Sequence, residues 1–414
     1  MPDPESVVIV GASLAGAKAA EALRDLDYAG PIVLVGNENL LPYERPPLSK
    51  GYLLGKDDRG SVFVHEQSWY DDHGVELRLG VTVTSLDVRG HQVSLSDGES
   101  LTYGKLLLAT GSRPRRLPVP GGDLDGVLFL RRLEDSDRIK EAFAGERQRV
   151  VVIGAGWIGL ETAAAGREAG NDVAIVEQLE LPLLRVLGPE MAQVFADLHR
   201  DHGVDLHLGV GVEEIVGGDG HVTAVRLGDG TELPADVVIV GVGISPVVEL
   251  AEDAGLDVDN GVVVDEHLRS SNADVYAAGD VANAYHPLFG RHLRVEHWAN
   301  ALNQPAVAAA SMIGRDRVYD RVPYFFTDQY DLGMEYSGYV EPGGYDEVVV
   351  RGDLAGREFV AFWLRDDQVL AGMNVNVWDV TDAIQTLIRN RVPIDRAQLA
   401  DPTVPLDDLG GRAG

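Results

Sequence analysis

Five short runs of aliphatic and β-branched residues, at 7–10, 32–35, 150–153, 173–176 and 237–240, read as parallel strands buried on both faces. The first and third run into glycine-rich turns and then into alanine-rich stretches at 15–26 and 158–169, which read as helices. Strand, turn, helix and strand, twice over, predict βαβ units in a doubly wound α/β sheet.

The chain also repeats itself at domain scale. Gly11-Ala12-Ser13-Leu14-Ala15-Gly16 returns as Gly154-Ala155-Gly156-Trp157-Ile158-Gly159. His73-Gly74-Val75-Glu76-Leu77 returns as His202-Gly203-Val204-Asp205-Leu206, and Ala109-Thr110-Gly111-Ser112-Arg113-Pro114 as Gly241-Val242-Gly243-Ile244-Ser245-Pro246. Three matched segments in one order predict two copies of one module. Between the second and third segments of each copy, alternating stretches turn at Asp97-Gly98 and Asp229-Gly230, the signature of antiparallel hairpins. Each module is therefore a Rossmann core with a β-meander inserted late. Beyond the second copy, 273–280 reads as a short buried strand ending in Gly279-Asp280, followed by a helix over 296–313 that Pro305 should kink. From about Val322 the pattern turns aromatic and β-rich, with strands at 348–350, 359–364 and 368–374 and a helix near 383–391, a third, α+β domain. Arg351-Gly352-Asp353 reads as an accidental turn tripeptide.

Composition removes several classes of function. A net charge of −31 leaves no basic footprint for a nucleic-acid backbone. No apolar run approaches the ~18 residues of a membrane span, and the polar, acidic start is not a signal peptide, so a cytoplasmic protein is expected. The chain has no cysteine, hence no redox disulfide, no c-type haem attachment and no cysteine-held iron–sulfur cluster. No metal site is expected. Any one-electron carrier has to be a flavin or a partner protein.

A lone Gly-x-Gly-x-x-Gly says little, but Gly154, Gly156 and Gly159 follow a strand and open a helix, and Glu177 ends the next strand about 20 residues on. Glycines there let backbone approach a pyrophosphate at a positive helix N-terminus, and the carboxylate accepts from ribose hydroxyls. A carboxylate at 177 followed by Gln178 favours NADH over NADPH. The first copy, Gly11, Ser13 and Gly16, departs from the fingerprint at its middle position, while Glu38 restores the acidic partner about 20 residues beyond Gly16. Two dinucleotide sites and no other cofactor signature point to FAD in one and NAD in the other.

The segment Tyr43-Glu44-Arg45-Pro46-Pro47-Leu48-Ser49-Lys50 is more specific. Together with Ala109-Thr110-Gly111, Ala278-Gly279-Asp280, Glu296-His297-Trp298 and Phe326-Thr327-Asp328-Gln329-Tyr330, it resembles the bacterial NADH-dependent ferredoxin reductases that serve cytochrome P450 and aromatic-ring dioxygenase systems. The resemblance spans essentially the whole chain. It implies a glutathione-reductase-type fold with a discontinuous FAD domain at 1–112 and 244–320, an NAD domain at 113–243 and a C-terminal domain at 321–414. It places Ala15, Glu38, Arg45, Lys50, Val83, Ala109, Thr110, Gly111, Arg131, Gly279, Asp280 and Trp298 on the FAD, with Asp280 at the ribityl chain and Trp298 near the isoalloxazine. Gly241, Gly243 and Ile158 join the NAD loop. Lys50 and Glu161 become the catalytic pair, Glu161 orienting Lys50 and the nicotinamide carboxamide. Tyr324-Phe325-Phe326 stands where relatives usually carry tryptophans, and His297 reads as a packing histidine.

The implied reaction passes hydride from NADH to FAD and then single electrons to an iron–sulfur ferredoxin. Arg291 and Arg294, or Arg315, Arg317 and Arg321, are candidate docking cations; scattered solvated arginines are an equal reading. An NADH oxidase or quinone reductase of the same fold, and a flavin-bound interaction protein resembling apoptosis-inducing factor, are the alternatives.

Overall fold

The computed structural model describes residues 6–409. Its contacts divide into two compact units, one of 1–44, 59–113 and 245–323, the other of 45–58, 114–244 and 324–414.

The first unit is built on a five-stranded parallel sheet. Val7–Val10 lies at its centre, between Ile32–Gly36 and Lys105–Leu108, with Val75–Leu79 and Val275–Ala277 outside them. All four residues of the central strand are buried, which is why it reads as an unbroken apolar run. The helix Leu14–Asp25 packs on the sheet through an alanine-rich face and against a second helix, Trp298–Met312. Val83–Asp87, Gln92–Leu95 and Ser100–Thr102 form the expected meander. A further small sheet joins Val262–Val264, which precedes the Gly279-Asp280 segment, to Ala282–His286 and Arg291–Leu293, which lie between that segment and the helix, and no periodicity announces it. Pro305 lies inside this helix, which runs as one element from Trp298 to Met312.

The second unit repeats the plan: Asp205–Leu208, Asp172–Glu177, Arg149–Ile153, Val237–Val240 and Val127–Leu128, all parallel and in that order. Its outermost strand precedes the module, whereas the matching strand of the first unit follows it. A meander of Val212–Gly218, His221–Leu227 and Glu232–Pro234 completes the copy. The helical stretch Leu184–Asp201 is broken at Gly188, whose φ of 76° is outside the helical region, just before Pro189. Residues 324–409 add an antiparallel sheet ordered Tyr324–Gln329, Leu332–Gly338, Gln368–Val375, Glu358–Arg365 and Glu347–Asp353, covered by the helix Thr381–Asn390. Arg351-Gly352-Asp353 therefore ends a strand and does not form a turn; Arg351 donates to the carbonyls of Val404 and Pro402. One core joins this sheet to the parallel one, with Trp363 fully buried and its Nε1 donating to the Leu187 carbonyl at 3.1 Å.

Candidate functional site

Both glycine loops leave the C-terminal end of a central parallel strand and open a helix, but their glycines are there for different reasons. Gly154 has φ +99°, and a Cβ on it would stand 2.5 Å from the Gly241 carbonyl oxygen. A Cβ on Gly159 would stand 2.0 Å from the Gly154 carbonyl oxygen. Gly11 and Gly16 repeat both constraints, against the carbonyl oxygens of Ala109 and Gly11. These four positions are glycine because the turn packs strand on helix with no room to spare.

The middle position differs. Gly156 has φ −79°, which any residue adopts, and no protein atom lies within 4 Å of a Cβ placed there. The space above this position is open. Ser13 holds the matching place with φ −122°, so its side chain causes no backbone strain. Neither helix has a side chain capping its first turn, although Ser13 and Gly156 occupy the N-cap positions. Helix N–H donors facing open space, at glycines held close to the strand, fit a dinucleotide pyrophosphate.

Around the first loop, Gly279 has φ +80°, and a Cβ there would lie 3.2 Å from Ala15 Cβ. Gly279 N donates to Gln304 Oε1 at 2.8 Å, which sets the short turn carrying Asp280. Glu38 lies just beyond strand Ile32–Gly36 and accepts from the Tyr43 hydroxyl at 2.5 Å. Thr110 Oγ1 donates to the Val247 carbonyl at 2.7 Å, and Val83 is buried. Trp298 opens its helix and donates from Nε1 to Glu44 Oε2 at 2.9 Å. His297, the N-cap of that helix, is half-buried, and desolvation pulls its pKa down to about 4. In the second loop, Glu177 Oε2 accepts from Ala155 N at 2.8 Å and Oε1 from Leu179 N at 3.0 Å. The acidic residue thus braces the loop, and each oxygen keeps a second lone pair for a ribose hydroxyl. Ile158 is exposed in the first turn, and Gly241 and Gly243 end the adjoining strand.

The segment 45–58 packs with the second unit. Pro46–Ser49 is a single 3₁₀ turn, prefaced by Arg45, which donates to the Arg131 carbonyl. The turn lies against the helix Trp157–Glu168. Lys50 Nζ there reaches Glu161 Oε1 at 2.7 Å. Glu161 is buried, at 4% exposure, and sequence reasoning missed its other two donors. Ser49 Oγ donates to Oε2, and Thr327 Oγ1 donates to Oε1 at 2.6 Å. Both stand in motifs already singled out, but nothing local to either motif names the partner. Phe326 lies beneath the Lys50 ammonium, 5.3 Å from nitrogen to ring centroid. Asp328 alongside is pushed above the usual carboxylate range by desolvation; the Lys50 cation opposes this and Glu161 and Glu335 reinforce it.

The candidate docking arginines divide. Arg294 is only 7% exposed in its side chain and is engaged by Glu296, Asn260 and the Asp280 carbonyl, so it does not belong to a solvated patch. Arg291, Arg315, Arg317 and Arg321 are exposed. Among the described residues no cluster of His, Asp or Glu has the makings of a metal site, and no helix is long and apolar enough to cross a membrane.

Two glycine-loop helices on duplicated parallel sheets define a two-dinucleotide oxidoreductase. The pyridine nucleotide-disulphide oxidoreductase family matches residues 5–305, and the reductase C-terminal family matches residues 324–410. Putidaredoxin reductase CamA of Pseudomonas putida is 40% identical over 98% of this chain and 96% of its own. The ferredoxin–NAD(+) reductase component of the Burkholderia cepacia anthranilate 1,2-dioxygenase system is 42% identical over 96% of this chain and 98% of its own. Among solved structures, the covalent putidaredoxin reductase–putidaredoxin complex superposes with a TM-score of 0.94 at 40% identity, over 97% of both chains. The chain belongs to the FAD-dependent NADH:ferredoxin reductases within the pyridine nucleotide-disulphide oxidoreductase family. The disulphide of the wider family's description has no counterpart in a chain without cysteine.

Proposed function

We propose that this protein is an NADH-dependent ferredoxin reductase, passing electrons from NADH through FAD to an iron–sulfur ferredoxin that serves a cytochrome P450 or a dioxygenase. The observation that carries the reading is a chain with two dinucleotide loops, one of them with Ser13 at its middle position, and no cysteine to hold electrons itself, so the electrons pass on to another molecule. FAD, when bound, takes up two electrons as hydride and gives them up singly. Each cycle converts NADH and two oxidised ferredoxins into NAD⁺, two reduced ferredoxins and one proton.

The residues divide the work. Gly11, Ser13, Ala15 and Gly16 offer backbone to the flavin dinucleotide, with Glu38 at its ribose and Asp280 at the ribityl chain. Val83, Ala109, Thr110, Gly111, Gly279, Trp298, Arg45 and Arg131 complete that set. Gly154, Gly156, Ile158, Gly159, Gly241 and Gly243 cradle the nicotinamide dinucleotide, and Glu177 selects its 2′-hydroxyl. Lys50 supplies a fixed cation, and Glu161 holds it in place, so orientation and electrostatics are the protein's share of the catalysis. The domain reading is an FAD domain at 1–112 and 244–320, an NAD domain at 113–243 and a C-terminal domain at 321–414. The cytoplasm is the compartment the reading assigns.

Stopped-flow mixing tests the function. NADH, and not NADPH, is expected to bleach the flavin rapidly, and cytochrome c reduction is expected to need an added ferredoxin. Fast turnover with oxygen or a quinone, unstimulated by ferredoxin, would sink the partner assignment.

A further inference from the structure

Glu161 is the last member of a longer polar series, and the direction of that series follows from valence. Thr327 has one hydroxyl proton. Its Oγ1 lies 2.6 Å from Glu161 Oε1 and 3.2 Å from Gln329 Nε2. A carboxylate paired with Lys50 has only acceptor sites to offer, so the Thr327 proton goes to Glu161. Toward Gln329 the hydroxyl can then only accept. That fixes the amide, with Nε2 facing Thr327 and Oε1 facing His199. Gln329 Oε1 lies 2.9 Å from His199 Nε2, and because an amide oxygen never donates, Nε2 carries the ring proton. His199 Nδ1 is left as an acceptor for the Tyr330 hydroxyl, 3.4 Å away. Every donor in the series points toward Glu161.

Three elements of one unit supply the members. Thr327 and Gln329 share the buried face of strand Tyr324–Gln329, two residues apart as a strand requires. His199 comes from the last turn of Leu184–Asp201, and Glu161 from the first turns of Trp157–Glu168. Thr327, Gln329 and His199 are each at most 1% exposed. A buried polar series is costly when half satisfied and rigid when complete. Burial also keeps the imidazole neutral, its pKa pulled down to about 4 despite the Gln329 hydrogen bond.

We infer that Thr327, Gln329 and His199 form a one-way donor chain that locks the Glu161 carboxylate as the acceptor of Lys50, which makes His199 a positioning residue for that pair. The inference rests on the ferredoxin-reductase reading for its catalytic meaning, and on hydrogen-bond valence for its geometry. The chain is a clamp and not a proton path. A primary amide sits in its middle, and a proton could pass only through the imidic acid form. The one proton released per cycle therefore leaves by another route.

Two measurements on the FAD-loaded full chain test this. The first is the ¹⁵N shifts of the His199 ring, assigned by comparison with His199→Asn, over about pH 6 to 8. The second is the single-turnover rate of flavin reduction across a series of NADH concentrations, for wild type, Thr327→Ser and Thr327→Val. The wild type is expected to be neutral with the proton on Nε2. Thr327→Ser is expected to keep that tautomer and the limiting rate. Thr327→Val, close to isosteric, frees the Gln329 amide to turn; mixed His199 tautomers are expected, and a limiting rate lowered about 10-fold with the NADH dissociation constant changed by less than about 3-fold. A wild-type proton on Nδ1, or a Thr327→Val limiting rate equal to that of Thr327→Ser, would overturn the inference. A wild-type flavin that NADH does not reduce would instead overturn the functional reading, and the tautomer would still decide the chain.

Discussion

Lys50 and Glu161 show how much a residue's role depends on what surrounds it. The carboxylate is nearly sealed from water, with side-chain exposures of 3% for Glu161 and 15% for Lys50, so removing one charge strands the other. Lys50→Met is expected to cost about 3–5 kcal/mol of stability in denaturant unfolding. Lys50→Met/Glu161→Leu should recover only part of it, because Ser49 and Thr327 then lose their acceptor. Full recovery would mean that those two donors contribute nothing. Two desolvated histidines give a second residue-scale prediction. His199 and His297 both have a pKa lowered from 6.5 to about 4 by desolvation, with His202 adding to the effect at His199 and Asp280 opposing it at His297. The unfolded chain therefore binds more protons than the native one between those values. Stability is full above about pH 6.5 and is lost as pH falls toward 4, by up to ~1.4 kcal/mol per pH unit for each histidine. His297→Gln should flatten the slope of Tm against pH in that window; an unchanged slope would show that His297 does not stay neutral.

At the scale of the element, the glycine loops separate folding from binding. Gly159→Ala forces a Cβ onto the Gly154 carbonyl and should lower Tm. Gly156→Ala meets no protein atom, so Tm without nucleotide should match the wild type while the NADH dissociation constant rises about 10-fold. Equal Tm losses in the two variants would refute the division. The same distinction marks how far the sequence could be read. The central strands were legible because burial on both faces leaves an unbroken apolar run, and the loops because Gly154 and Gly159 have no alternative. Ser13, an apparent defect of the fingerprint, turns out to occupy the one position where the backbone does not demand glycine. The sheet of Val262–Val264, Ala282–His286 and Arg291–Leu293 was not legible, since strands of three to five residues carry too little periodicity. Nor was the donor set of Glu161, because Thr327 reaches it only through tertiary packing.

At the scale of the molecule, charge and connectivity matter most. A net charge of −31 opposes an acidic partner over the ~30 Å Debye length of 10 mM salt and much less over the ~8 Å of physiological salt. Reduction of an acidic ferredoxin is therefore expected to quicken as salt rises between those limits, read as the second-order rate in stopped flow. A rate that falls instead would point to a local basic patch among Arg291, Arg315, Arg317 and Arg321.

The chain passes between its two compact units five times, at 44/45, 58/59, 113/114, 244/245 and 323/324. Neither unit is an uninterrupted stretch of gene. A fragment cut at the obvious repeat boundary, beginning near residue 114, would keep Glu161 and Thr327 yet lack Lys50, and would carry a sealed carboxylate with no cation. The early segment 45–58 thus behaves as a covalent loan from one half of the polypeptide to the other. Splitting this reductase into modules for fusion or exchange would have to return that loan, by grafting residues 45–58 back onto the unit they pack with, before either half could be expected to stand alone.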